Sequence, residues 1–192
     1  MNAENAAVGV RARVSRRTRG FSLAELLVTM AVAAVLLVVA VPHLGGILEG
    51  GRVEFSGNSF LGPLYLARSE AIKRNTRVVL CRSSTGNSCA ASGGWEQGYI
   101  VFIDSNNNVQ VDAGETIVLR REALPSSLRF KGNAGVAGYV SYVGTGATQQ
   151  ASGAFQAGTF TLCSLRATTA RQIIISSSGR PRIQKIIEKN CA

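Results

Sequence analysis

Between Leu26 and Leu48 the chain carries no charged side chain except His43, should it be protonated. As a helix rising about 1.5 Å per residue, that run covers the ~30 Å hydrocarbon core of a bilayer. Arg11, Arg13, Arg16, Arg17 and Arg19 precede it against Glu4 alone. Positive charge before a span stays on the cytoplasmic side, so the N-terminus is expected in the cytoplasm and the C-terminal part outside it. A secretory signal peptide fits poorly. Its apolar region is ~7–15 residues long and ends in a small-residue cleavage site, whereas here the run is longer and the small residue, Gly20, stands before it. Glu25 interrupts the apolar pattern. A carboxylate costs ~2.5–3.5 kcal/mol at the membrane centre and less near the headgroups, so it marks function or serves as a helix N-terminal charge.

Beyond the run, Pro42, Gly45-Gly46 and Gly50-Gly51 predict a kinked or partly melted stretch, because proline removes a donor and each glycine weakens a helix by ~1 kcal/mol. Val53, Phe60, Leu64, Ala67 and Ala71 then recur at three-, four- and seven-residue spacings, one apolar stripe on a helix that stops at Asn75. After Asn75 the pattern changes to short β-type runs: Arg77–Arg82, Gly98–Ile103, Thr116–Arg121, Leu128–Lys131, Gly138–Val143, Gly158–Leu162, Arg171–Ser176 and Arg182–Ile187. Turns such as Gly144-Thr145-Gly146 and Ser178-Gly179 separate them. The expected class is α+β, a long N-terminal helix packed on antiparallel sheet. The organisation reads as a leader over 1–20, a transmembrane helix over 21–48, an amphipathic helix over 49–75 and a β-rich head over 76–192. Trp95, beside Gly94, is expected to pack under a Cys81–Cys89 turn.

The four cysteines, Cys81, Cys89, Cys163 and Cys191, all fall in the part expected outside the cytoplasm, where oxidation is permitted. The sequence-near pairing, Cys81–Cys89 with Cys163–Cys191, is favoured over the two alternatives. A four-cysteine zinc site lacks Cys-x-x-Cys pairs. The lone histidine, His43, lies at the membrane side, so no Cys–His nucleophile is expected, and neither an enzyme activity nor a cofactor is implied.

Asp104, Asn106, Asn108, Asp112 and Glu115 fall at positions 1, 3, 5, 9 and 12 of an EF-hand-like calcium loop. Position 6 is Val109 instead of glycine, and the flanks read as strands, so the competing reading is a polar hairpin loop.

The net charge of +10 is unevenly placed, with +4 in residues 1–20 and +5 in residues 164–192. The latter segment holds Arg166, Arg171, Arg180, Arg182, Lys185 and Lys189 against Glu188. In a strand, Arg180 and Arg182 point to one face about 6.7 Å apart. Paired guanidiniums suit phosphate. The segment has no Phe, Tyr or Trp, so it offers no stacking platform for bases. A salt-sensitive backbone contact fits better, against the alternative of a solvated basic edge that keeps a sheet from aggregating.

The stretch Arg19-Gly20-Phe21-Ser22-Leu23-Ala24-Glu25-Leu26-Leu27 resembles the type III signal of type IV pilins and pseudopilins. That resemblance implies cleavage between Gly20 and Phe21 by a prepilin peptidase and N-methylation of Phe21. It also implies that Glu25 pairs with a neighbouring subunit's N-terminal amine during assembly, and Pro42 falls where the family commonly kinks its helix. The segments Tyr65–Asn75, Val78–Cys81, Trp95–Asp104, Gly158–Cys163 and Ile175–Arg182 are similar to the FimT-type minor pilins of the GspH/FimT family. This implies the type IV pilin fold, an inner-membrane anchor with a periplasmic head, and major and minor pilins as partners. Some members bind DNA through the Gly-Arg-x-Arg element, here Gly179, Arg180 and Arg182; the local charge adds Lys185 and Lys189. The expected function is that of a minor pilin binding double-stranded DNA non-specifically for natural transformation. The alternatives are a structural minor pilin that primes pilus assembly, or a GspH-like pseudopilin of type II secretion.

Overall fold

The computed structural model describes residues 20–188, 190 and 191, with the backbone alone for 39–44. The leader's charged residues and Lys189 lie outside the described residues. One helix, α1, covers Leu23–Arg74, and the chain divides into two compact units, Met1–Val41 and Pro42–Ala192.

In the first unit the described residues open α1 with a cap. Ser22 Oγ accepts the Glu25 N–H at 3.2 Å, and the Ser22 carbonyl accepts the Leu26 N–H at 3.1 Å. The Ser-x-x-Glu spacing is that of a capping box, and it sets Glu25 in the first turn, where a negative charge is favourable. Every described side chain over 21–38 is exposed, including Phe21, Leu23 and Val38, each at 76%. Among the described residues no helix is long and apolar enough to cross a membrane; the run expected to span includes 39–44, whose side chains lie outside the description.

In the second unit α1 carries the predicted stripe. Val53, Phe60, Leu64, Ala67 and Ala71 are all buried. Of the expected kink or partial melting, the melting does not occur: helix runs through Pro42, Gly45-Gly46 and Gly50-Gly51. Each glycine costs only about 1 kcal/mol, and burial of several large side chains at about 1.5–3 kcal/mol each outweighs the breakers on the packed stretch. The helix ends where expected, with Asn75 in the left-handed region (φ 49°) and the Thr76 N–H reaching back to the Ala71 carbonyl at 3.3 Å. Asparagine tolerates that conformation better than most residues.

Eight strands follow: β1 (Arg77–Arg82), β2 (Tyr99–Asp104), β3 (Ile117–Arg121), β4 (Leu128–Gly132), β5 (Tyr139–Tyr142), β6 (Gly158–Ser164), β7 (Ala167–Ile175) and β8 (Pro181–Ile187). They form two four-stranded antiparallel sheets, ordered β3-β2-β1-β5 and β4-β6-β7-β8. Alternation along β1 explains how the first sheet is covered. Val78 and Leu80 join the main core with α1 and the second sheet, while Val79 and Cys81 join a smaller cluster with Ile100, Phe102 and Val109. The main core centres on Phe60, whose ring meets Trp95, Tyr99, Phe130 and Phe160 edge-on at 4.7–5.6 Å between centroids.

Trp95 corrects an expectation. It packs on Phe60 and Phe160 in the main core, whereas the Cys81–Cys89 bridge belongs to the smaller cluster on the other face of β1. Its indole N–H donates to the Val136 carbonyl at 3.0 Å, the partner a buried tryptophan needs.

Two disulfides join Cys81 to Cys89 and Cys163 to Cys191, with Cα separations of 5.6 and 5.7 Å. The first closes the loop after β1. The second fastens the residues beyond β8 to β6.

Candidate nucleic-acid interface

The basic element sits on the β7–β8 hairpin. The last register pair is Ile175 with Pro181, and a turn over 176–180 closes it through the Gly179 N–H and the Ser176 carbonyl, 2.9 Å apart. Gly179 has φ 76°, a region in which a Cβ is strained. A Cβ there would also lie 2.1 Å from the Gly146 carbonyl oxygen. The glycine therefore sets the turn's path and contributes no side chain of its own.

The loop between β5 and β6 braces the turn from the side. Thr148 donates its N–H to the Ser177 carbonyl at 3.1 Å, and its Oγ1 donates to the Gln156 carbonyl at 2.6 Å. From below, Arg68 of α1 donates to the Gly179 carbonyl at 3.4 Å.

Pro181 is buried and the arginines on either side of it are exposed. Arg180 and Arg182 line one hollow of about 390 Å³ with Ile174, Ser176 and Ser178. The two serine hydroxyls are 2.8 Å apart. No carboxylate lines this hollow. Two planar cations beside two hydroxyls form an arrangement that accepts phosphate oxygens.

Lys185 is not brought to this group. Side chains alternate faces along a strand, so Lys185 shares the side of Ile183, which packs towards the core. Its register partner is Arg171, which is paired with Glu54 of α1 at 2.6 Å. Arg68 is the residue that sequence reasoning passed over. Its position four residues after Leu64 placed it at the edge of the buried stripe, and that was the available signal.

The acidic loop is a hairpin connection between β2 and β3. Asp104 is buried and accepts the N–H groups of Asn108 and Val109 at 3.1 and 3.0 Å. Glu115 accepts those of Ser105 and Asp112 at 2.8 and 3.2 Å. Asp112 accepts the side-chain amides of Asn106 and Asn108 at 2.8 and 2.6 Å, and these bonds hold its carboxyl below the usual pKa. The oxygens that would face a calcium ion are spent on the loop itself. Among the described residues no group of three or more His, Cys, Asp or Glu is placed to hold a metal.

At the opposite end of the head, Glu49 of α1 is buried and accepts the hydroxyls of Ser127 and Ser164, each at 3.0 Å. Arg52 pairs with it at 2.6 Å. Burial pushes this carboxyl up, but the two serine hydrogen bonds and the Arg52 charge outweigh it and hold the pKa below its ordinary 4.5. A carboxyl whose folded pKa is depressed stabilises the fold above the unfolded pKa, and loses that contribution as pH falls through the folded value. Glu49→Gln is therefore expected to flatten the loss of stability below about pH 4.5, measured as Tm against pH. An unchanged slope would remove Glu49 from the acid response.

A helix that exposes an apolar first part, followed by a helix stretch packed on antiparallel sheets, defines a pilin-like protein. The solved minor pilin FimU of Pseudomonas aeruginosa superposes with a TM-score of 0.56 at 16% identity, over 74% of this chain and 96% of that one. A second crystal form gives 0.50 at 18%, over 72% and 99%. The minor pseudopilin EpsH of Vibrio cholerae gives 0.49 at 12%, over 69% and 96%. No curated protein matches the chain. The prokaryotic N-terminal methylation motif matches residues 15–41, the signature of a chain processed by prepilin peptidase and assembled with other pilins. The model for the type II transport protein GspH matches residues 56–179. The chain belongs to the GspH family, and it shares its fold with the minor pilin FimU. The GspH match stops at Gly179, one residue before Arg180.

Proposed function

We propose that the chain is a minor type IV pilin that binds extracellular double-stranded DNA without sequence preference and serves its uptake in transformation. The observation that carries this reading is the shared, carboxylate-free hollow of Arg180 and Arg182 on a braced turn. In this reading the chain is cut between Gly20 and Phe21 and methylated at Phe21. Residues 21–48 anchor it in the inner membrane, the head enters the periplasm, and Glu25 guides entry into or to the tip of a pilus. The exposed apolar residues over 21–38 support the anchor, because a patch of that extent needs lipid or other helices to cover it.

Mobility shifts test the DNA contact, using the detergent-solubilised chain with and without Arg180→Ala/Arg182→Ala over a salt series. The double variant is expected to weaken binding to all sequences alike and to reduce the salt slope by up to ~2 units. Equal retardation would end the proposal at this site. In cells, loss of DNA uptake with normal pili supports DNA capture, whereas loss of pili supports an assembly role.

A second reading has its own observation. β8 is an edge strand, and charge on an edge protects a sheet from pairing with another chain. A structural minor pilin or a type II secretion pseudopilin would use Arg182 and Lys185 in that way, and the double variant would then aggregate without any change in DNA binding.

A further inference from the structure

The end of the head remote from Arg180 has its own chemistry. The charge-free run ends at Leu48, and Ile47 and Leu48 are exposed at 71% and 64%. The β6–β7 hairpin brings its tip to the same level. Leu165 and Arg166 line a hollow with Gly46 and Cys191, and Arg166 lines a second hollow with Gly45, Leu48, Glu49 and Arg52. Leu165 is half exposed, and Ile187, which pairs with Thr169 at the same end of the sheet, is 76% exposed.

This tip is held in place. The Glu49 carboxylate takes hydrogen bonds from Ser127 and Ser164. The Leu165 N–H donates to the Ser127 carbonyl at 2.9 Å, and the Arg166 N–H to Ser164 Oγ at 3.1 Å. Of the acids near the rim, Glu49 is buried, and Glu188, partly exposed, accepts the Asn190 N–H through Oε1 at 3.2 Å. What faces outward is apolar surface bordered by Arg52 and Arg166.

We propose that this rim is a lipid-contacting surface, on which Leu165 and Ile187 enter the headgroup layer and Arg166 pairs with anionic phospholipid headgroups. The inference rests on the reading that residues 21–48 span the inner membrane. The run's last residues, 45–48, line the hollows themselves, so a chain leaving the bilayer there brings the tip to headgroup depth. Aliphatic side chains with arginine beside them suit that layer, where the stem stays apolar and the head meets phosphate. A basic residue near an anionic surface strengthens attachment to it by about fivefold.

The test uses the full chain, one protomer per nanodisc, in mixed zwitterionic and anionic phospholipid. Leu165→Trp is read by quenching from brominated lipid. The native Trp95 is fully buried in the head core and supplies the background. Leu36→Trp reports the span. The expected result is quenching at both introduced tryptophans. At position 165 quenching should be stronger when the anionic lipid carries the bromine than when the same fraction of zwitterionic lipid does, and Arg166→Gln should remove that excess. Quenching at position 36 but not at 165 overturns the proposal and leaves the span intact. No quenching at position 36 overturns the span and the proposal with it. Quenching at 165 that is indifferent to which lipid is brominated, or that needs two protomers per disc, overturns the lipid assignment, the latter in favour of a second copy of the chain.

Discussion

Phe60→Ala is expected to cost about 3–5 kcal/mol, the range for truncating a buried aromatic. Four aromatic rings meet Phe60 edge-on, and each such pair adds to simple burial. The residue lies on α1 and touches side chains from the first sheet (Tyr99), the second sheet (Phe130 and Phe160) and the connection from β1 to β2 (Trp95). Its loss therefore loosens helix and both sheets together, so little local collapse can refill the space. A domain stable by about 5–15 kcal/mol would lose a large share of its margin. Denaturant unfolding followed by Trp95 fluorescence checks this. Phe60→Leu, which keeps more of the volume, should fall well short of the alanine loss. A cost for Phe60→Ala under about 1 kcal/mol would mean that the aromatic cluster does not join the layers.

Gly179→Ala has the second largest expected effect, and it separates shape from charge in the candidate interface. The new Cβ meets the Gly146 carbonyl oxygen at 2.1 Å and the Tyr142 ring at 3.0 Å, at φ 76°. Backbone strain and the clash together should cost about 2 kcal/mol or more. The turn must move away from Gly146, carrying Arg180 with it, so Tm and DNA retention should fall together. Arg180→Ala should lower retention with little change in Tm. Gly138→Ala is the control, since nothing lies within 4 Å of its new Cβ and its φ is ordinary. A Gly179→Ala protein with unaltered Tm would show that the brace at Gly146 is not needed.

Much of the fold was legible in the sequence because its helical stripe is clean and turn residues bound its β-type runs. A 3.6-residue period marked Val53, Phe60, Leu64, Ala67 and Ala71, all of them buried. Short β-type runs between Gly-, Asn- and Ser-rich turns marked the eight strands, with differences mainly at the ends; β7 begins at Ala167, four residues before the expected start. Partner choice was not legible. β5 returns to β1, and β4 pairs with β6, because alternation says which face a residue takes but not which neighbour a strand finds. The separation of Trp95 from the Cys81–Cys89 bridge follows from the same limit.

The candidate interface was half legible. The Gly179-Arg180-Pro181-Arg182 spacing indicated two cations on one face. Local charge added Lys185, which the pleat of β8 sets on the face opposite Arg182, a distinction a net count does not make. Arg68, 111 positions before Gly179, could not be joined to the turn by any local pattern. The EF-hand-like spacing left two readings open for a related reason. Oxygen side chains at cation-ligand intervals also suit a loop that satisfies its own backbone. Here the loop folds with Asn107 and Val109 at positive φ (63° and 62°), and Asp104 turns inward to the N–H groups of Asn108 and Val109.

The covalent path around the β7–β8 hairpin has a mechanical meaning. In the proposed role in DNA uptake, a polymer held at the 176–180 turn would pull along the strand axes, loading both legs in the same direction. The β7 leg runs through the Leu165 tip directly into β6. The β8 leg reaches the same strand through the Cys191–Cys163 bond. Both legs thus end on β6, which is flanked by β4 and β7, and neither depends on hydrogen bonds alone to carry the load. Reduction of that bond would leave the edge strand to be peeled away one register pair at a time.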